Sequence, residues 1–115
     1  MRTISTEEAP RAIGPYSQAI EHDGLIFLSG QIALDPITGK INSMTIEDQT
    51  RQVVTNISGV LKASGSDLSH VLKCTVFMTD LEEFQAFNKT YASFFGTSPP
   101  ARSTVEVAAT AKCEN

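Results

Sequence analysis

Val71 to Phe95 reads VLKCTVFMTDLEEFQAFNKTYASFF, and its hydrophobic period changes halfway. As far as Met78 the residues are largely apolar or β-branched. Side chains alternate along a strand, so Leu72, Cys74, Val76 and Met78 share one face, and Val71, Lys73, Thr75 and Phe77 the other. Beyond Asp80 the apolar positions recur at spacings of three and four. Phe84, Phe87, Tyr91 and Phe94 form an aromatic stripe along one side of a helix. Asp80 with Glu83 is an N-terminal signal, and Gly96 is a C-terminal stop. Such a stripe needs a surface to cover, so the helix is expected to lie on the sheet that contains the strand.

Downstream, PPARSTVEVA (Pro99 to Ala108) ends the helix with prolines and starts a last strand over Ala101 to Val107. Upstream, Thr45 to Gly65 has a helical period. Ile46, Val53, Ile57, Val60, Leu61 and Ser64 lie near one face, with Arg51, Gln52, Asn56 and Lys62 mostly elsewhere. Thr45 is the N-cap and Gly65 the C-terminal stop. Earlier still, Tyr16 to Glu21 and Leu25 to Ile32 read as a hairpin turning through His22-Asp23-Gly24, and Asp35 to Lys40 reads as a loop.

The order is β-β-α-β-α-β, with a short additional strand at Thr3 to Ser5. The expected fold class is α+β: a mixed β-sheet with two helices packed on one face, in a single domain over residues 1–115. The other face, assigned apolar positions such as Ile26, Leu28 and Val105, is left uncovered and argues for self-association.

Composition narrows the function classes. A hydrophobic fraction of 41% and a charged fraction of 19% are those of an ordinary globular chain. A net charge of −4 without a basic run disfavours a non-specific grip on nucleic acid or an acidic membrane. No segment reads as a signal peptide or a membrane span, and Cys74 and Cys113 form no close pair, so a reduced, cytoplasmic location is expected.

His22 and His70 lack metal-ligand spacing, and no glycine-rich nucleotide motif is present, so neither a metal nor another cofactor is expected. Cys74, amid apolar strand residues, reads as a structural thiol. What remains is a small polar set in apolar or turn surroundings: Tyr16 after a Gly-Pro turn, Ser29 and Gly30 in LSGQI, Asn88 beside the aromatic stripe, and Arg102 with Thr104. Each has an ordinary structural reading as a core edge, a bulge or a solvated helix residue. Arg102 and Thr104 point to the same side of their strand. An arginine fork with a hydroxyl beside it suits a carboxylate.

Taken together, IGPYSQAI, IFLSGQI, VLKCTVFMTDLEEFQAFNKTYASFF and PPARSTVEVA closely resemble the RidA family, also called YjgF or reactive intermediate deaminase, in the same order and nearly to the end of the chain. The resemblance implies a chorismate-mutase-like subunit in a homotrimer, with sheet faces packed around the threefold axis and clefts between neighbours. It implies hydrolysis of 2-imino acids such as 2-iminobutanoate and 2-iminopropanoate, and of their enamine tautomers, to 2-oxo acids and ammonia, without a cofactor. It implies Arg102 as the carboxylate clamp and Tyr16 as a hydrogen-bonding partner of substrate or water. Gly30, following Ser29, would offer close backbone approach, and Asn88 and Thr104 would line the cleft. Many relatives carry cysteine at the position of Thr104.

The match ends after Val107. The family continues there to a last strand with a glutamate thought to orient the attacking water, whereas this sequence reads AATAKCEN; neither Glu106 nor Glu114 stands in that motif. The expectation is therefore that the last family strand is missing. Two further functions stay open at this point. One is a non-catalytic trimer binding 2-oxo acids through Arg102, and the other is the endoribonuclease or translation-inhibitor activity suggested by the L-PSP label of some relatives.

Overall fold

The computed structural model describes residues 1–110. The amino-terminal half is organised by one tight turn. Asp23 and Gly24 take φ of 51° and 79°, the pair of left-handed residues that a two-residue hairpin turn requires. This sets β2 (Ala19–His22) antiparallel to β3 (Leu25–Leu28), with His22 opposite Leu25 and Ala19 opposite Leu28. A short β1 (Arg2–Ile4) adds to the other edge of β2. The β3 ladder ends four residues short of the expected Ile32. Ser29 and Gly30 have little side chain to bury in a sheet, and the Ser29 hydroxyl turns to the Ser17 carbonyl at 2.6 Å.

The helix α1 (Ile46–Ala63) starts where Thr45 Oγ1 accepts the Asp48 N–H at 3.1 Å, and Gly65 follows its end at φ 83°. Its Val60 packs with Ile4, Ala9 and Ala19, and Ile26 and Leu28 close over the same cluster. Ile26 and Leu28 thus face the helix, correcting their assignment to the uncovered side. The alternation of β3 puts Leu25 and Phe27 there instead. Gly59 allows close approach of the amino-terminal segment, because a Cβ there would stand 2.6 Å from the Glu8 carbonyl oxygen.

Asn56 corrects a second expectation. It is completely buried, donating to the carbonyls of Ile32 at 3.2 Å and Leu34 at 2.9 Å and accepting from Gln52. Gln18 does similar work at the amino terminus. It accepts the Thr6 N–H and donates to the Thr6 and Pro10 carbonyls. Each side chain supplies buried main-chain groups with partners that no ladder provides.

In the second half, β4 (Lys73–Met78) and β5 (Ala101–Glu106) run parallel, pairing Cys74 with Arg102, Val76 with Thr104 and Met78 with Glu106. Parallel strands need a crossover, and α2 (Phe84–Phe95) supplies it. Asp80 caps a single 3₁₀ turn, Leu81–Glu83, that leads into α2. The Glu106 carboxylate at the end of β5 accepts the Leu81 N–H at 2.9 Å.

Phe87 and Tyr91 of α2 are buried on Met78, with Phe84, Cys74, Val76 and Phe95 packed around them. The aromatic side of α2 therefore continues to Phe95. Phe94, expected in the stripe, instead borders a surface hollow with Glu8 and Lys62. A 3.6-residue period takes the side chain four residues after Tyr91 back to the sheet.

The fold is α+β, but its strands form a three-stranded antiparallel sheet and a two-stranded parallel one. The expected single mixed sheet is not seen, because no ladder joins the two among the described residues. The helices α1 and α2 lie against each other. On the opposite side Leu25, Phe27, Phe77 and Val105 are 50%, 61%, 58% and 43% exposed. Among the described residues no helix is long and apolar enough to cross a membrane. The departure expected at the carboxyl terminus falls mainly on residues 111–115, outside the described residues.

Candidate functional site

Arg102 owes its place to the register of β5. Alternation turns Arg102 and Thr104 inward towards α2, and both are half-buried, while Ala101, Ser103 and Val105 are exposed. Phe84, Phe87 and Tyr91 come round beneath the guanidinium, whose central carbon lies 5.5, 5.5 and 4.9 Å from their ring centres. These are cation–π distances. Among the described residues Arg102 has no carboxylate partner and its guanidinium makes no hydrogen bond.

On β5 and α2, three buried polar atoms are short of partners. Asn88 Oδ1, Thr104 Oγ1 and the Tyr91 hydroxyl are buried with no hydrogen bond among the described residues. Burying such a group without a partner costs about 1–3 kcal/mol. Burial of the Tyr91 phenol, and then the neighbouring Cys74 thiol, push its pKa far above the ordinary range, against the opposing pull of Arg102. Tyr91 therefore stays neutral beneath the cation.

Tyr16 and Gly30 stand elsewhere in the chain. They line a cavity of about 210 Å³ with Pro10, Arg11, Ile13 and Gln31 among its other walls, and Arg102, Asn88 and Thr104 do not border it. Tyr16 is 51% exposed, its ring folded over Gly14 by a tight turn in which its N–H bonds the Gly14 carbonyl at 2.8 Å. A Cβ on Gly30 would meet nothing within 4 Å. No close approach among the described residues requires glycine there. Ser29 does not border the cavity, and its hydroxyl proton is committed to Ser17. The six sequence candidates thus divide into an Arg102–Asn88–Thr104 group on the parallel strands and α2, and a Tyr16–Ser29–Gly30 group at the hairpin.

Sequence reasoning found the aromatic stripe but not its contact with Arg102. The missing signal lies in combining the stripe's helical period with the inward parity of β5. His70 pairs with Asp67 at 3.1 Å and His22 with Asp23 at 3.2 Å, both at the surface. Among the described residues no group of three or more His, Cys, Asp or Glu could hold a metal.

Comparison with known proteins places this geometry in a family. A family model described as Endoribonuclease L-PSP matches residues 6–114. Reactive Intermediate Deaminase A, chloroplastic, of Arabidopsis thaliana is 53% identical over 106 residues, which are 92% of this chain and 57% of that protein. The chain thus spans little more than half the length of that plant relative. A 2-iminobutanoate/2-iminopropanoate deaminase of Capra hircus is 44% identical over 111 residues, 96% of this chain and 81% of that one. The crystal structure of the Rid-family protein YyfA from Yersinia pestis superposes with a TM-score of 0.93 at 47% identity, covering 96% of this chain and 89% of that one. On the extent of the family match and the level of these identities, the chain belongs to the RidA/YjgF family.

Proposed function

We propose that this chain hydrolyses 2-imino acids, and the enamines that tautomerise to them, to 2-oxo acids and ammonia. In this reading it works in the cytoplasm as a homotrimer, with each site completed between neighbouring copies. The observation that carries the reading is Arg102, a half-buried guanidinium without a carboxylate partner among the described residues, with unpartnered buried oxygens on Thr104 of the same strand face and on Asn88 of the helix that packs against it. Such a fork suits the carboxylate of a 2-imino acid. The names of the plant and goat relatives agree with this chemistry.

An imine carbon is already electrophilic, so positioning can supply much of the catalysis. Water oxygen bonds to that carbon as the C=N π pair moves to nitrogen, and a proton passes from the added water to the nitrogen. The resulting carbinolamine loses ammonia as its C–N bond breaks. Its hydroxyl proton passes to the departing nitrogen, completing ammonia, as the C=O bond forms.

Arg102 holds the carboxylate through this sequence, and Asn88 and Thr104 line the cleft. Tyr16 hydrogen-bonds the substrate or the water, and the Gly30 backbone approaches from the hairpin side. Ser29 holds the bend that presents Gly30. The separation of the Tyr16 and Arg102 groups in one subunit supports a site shared between copies. The exposed Leu25, Phe27, Phe77 and Val105 give those copies an apolar face to bury.

The test generates 2-iminobutanoate in situ with a threonine dehydratase and follows 2-oxobutanoate formation with and without the chain. Acceleration is the expected result. Binding of 2-oxobutanoate without acceleration would replace this reading with a non-catalytic binder. Salt-sensitive RNA cleavage without deamination would replace it with the nuclease reading.

A further inference from the structure

We propose that Tyr91, with Phe84 and Phe87, is the positioning device for Arg102: an aromatic cradle that fixes the guanidinium while leaving its N–H fork free. The inference rests on the 2-imino acid reading above and concerns how that site holds its clamp.

An arginine that must meet a carboxylate has two needs that conflict. Its long side chain must be held in one pose, since ordering it at the moment of binding weakens affinity. Its donors must also remain unoccupied. An ion pair with a neighbouring carboxylate meets the first need and defeats the second, because the partner competes with the ligand. Ring faces meet both, as they attract the cation without supplying an oxygen acceptor to the fork.

The residues are placed for this. The three rings stand at positions i, i+3 and i+7 of α2, on the side facing β5. Tyr91 is nearest the cation at 4.9 Å. It is itself held between Phe87, with ring centres 5.3 Å apart, and Phe95, with centres 4.7 Å apart. Phe87 and Tyr91 are buried, so the cradle stands on the packed core of the subunit.

The same rings also pack the core, so the test must separate the two roles. Calorimetry measures 2-oxobutanoate binding to the full chain and to its Tyr91→Leu, Tyr91→Phe, Phe84→Leu and Met78→Ala variants. Kinetics with 2-iminobutanoate give KM and kcat for each. Met78→Ala opens a cavity in the same cluster while leaving all three rings in the chain, and Phe84 is only half-buried, so its variant carries the test if Tyr91→Leu fails to fold.

Loss of the nearest ring is expected to raise Kd and KM together by about tenfold, with kcat changed less than about threefold. Phe84→Leu should give a weaker shift in the same direction. Tyr91→Phe, which keeps the ring face, should bind within about twofold of the parent, as should Met78→Ala. Unchanged affinity in both leucine variants would overturn the inference. So would a loss in Met78→Ala equal to that in Tyr91→Leu, since the effect would then be loosened packing. If the parent chain binds no 2-oxobutanoate and turns over no imine, the functional reading itself falls, and this inference with it.

Discussion

Thr104 and Arg102 stand two residues apart on the inward face of β5, and the Thr104 hydroxyl is buried there without a partner among the described residues. A fold selected only for stability would place valine at this position, since valine has the same shape and leaves nothing unsatisfied. Thr104→Val is therefore expected to raise unfolding free energy by about 1 kcal/mol. If the hydroxyl serves the ligand as proposed, the same change should lower kcat/KM for 2-iminobutanoate by about tenfold. Denaturant titration and steady-state kinetics on one preparation measure both effects.

Asn56 is the opposite case, a polar side chain kept for the fold. Its amide joins α1 to the Ile32 and Leu34 carbonyls from a fully buried position. Asn56→Ala leaves those carbonyls unpaired and opens a cavity, and is expected to cost about 3 kcal/mol in chemical denaturation. Catalysis by whatever fraction remains folded should be little changed.

These two residues show where the sequence could be read and where it could not. Hydrophobic period located α1, α2, β4 and β5 to within a few residues, because each repeats its burial pattern over several turns or alternations. The Asp23-Gly24 turn likewise announced the hairpin through its own backbone requirement. Asn56 and Gln18 were hidden because a polar residue reads as solvated until the carbonyls it serves are placed beside it, and that pairing is tertiary. The early end of β3 was hidden because Ser29 and Gly30 lack bulk, a local effect inside an otherwise apolar run. Within the site, strand parity put Arg102 and Thr104 together, but the stripe's contact with Arg102 depends on α2 crossing over β5.

Tyr91 makes a pH prediction. Its phenol pKa is raised in the folded chain, first by burial and then by Cys74. The unfolded chain ionises near the ordinary value of about 10, while the folded one holds its proton. The stabilising contribution is thus complete below about pH 10 and is lost as pH rises above it, by up to about 1.4 kcal/mol per unit. Stability curves of the parent chain and Tyr91→Phe should diverge between about pH 10 and 11, with the variant losing less. Parallel curves would contradict the burial of a neutral phenol.

Division of the candidates into two groups makes a prediction about assembly. If Arg102 of one copy works with Tyr16 of another, Arg102→Ala and Tyr16→Ala chains should each be nearly inactive alone. Mixed, unfolded and refolded together, they should recover a substantial fraction of parent activity through sites that carry both native residues. Sedimentation should show a trimer in each preparation. Failure of mixed trimers to recover activity would place both residues in a site within one subunit.

The most direct measurement of the central claim compares the parent chain with Arg102→Ala in dehydratase-coupled hydrolysis of 2-iminobutanoate, alongside calorimetric binding of 2-oxobutanoate. The parent is expected to accelerate 2-oxobutanoate formation, and the variant to stay folded but lose about 100-fold or more in kcat/KM together with carboxylate binding. A folded Arg102→Ala chain that binds 2-oxobutanoate and turns over imine like the parent would contradict it.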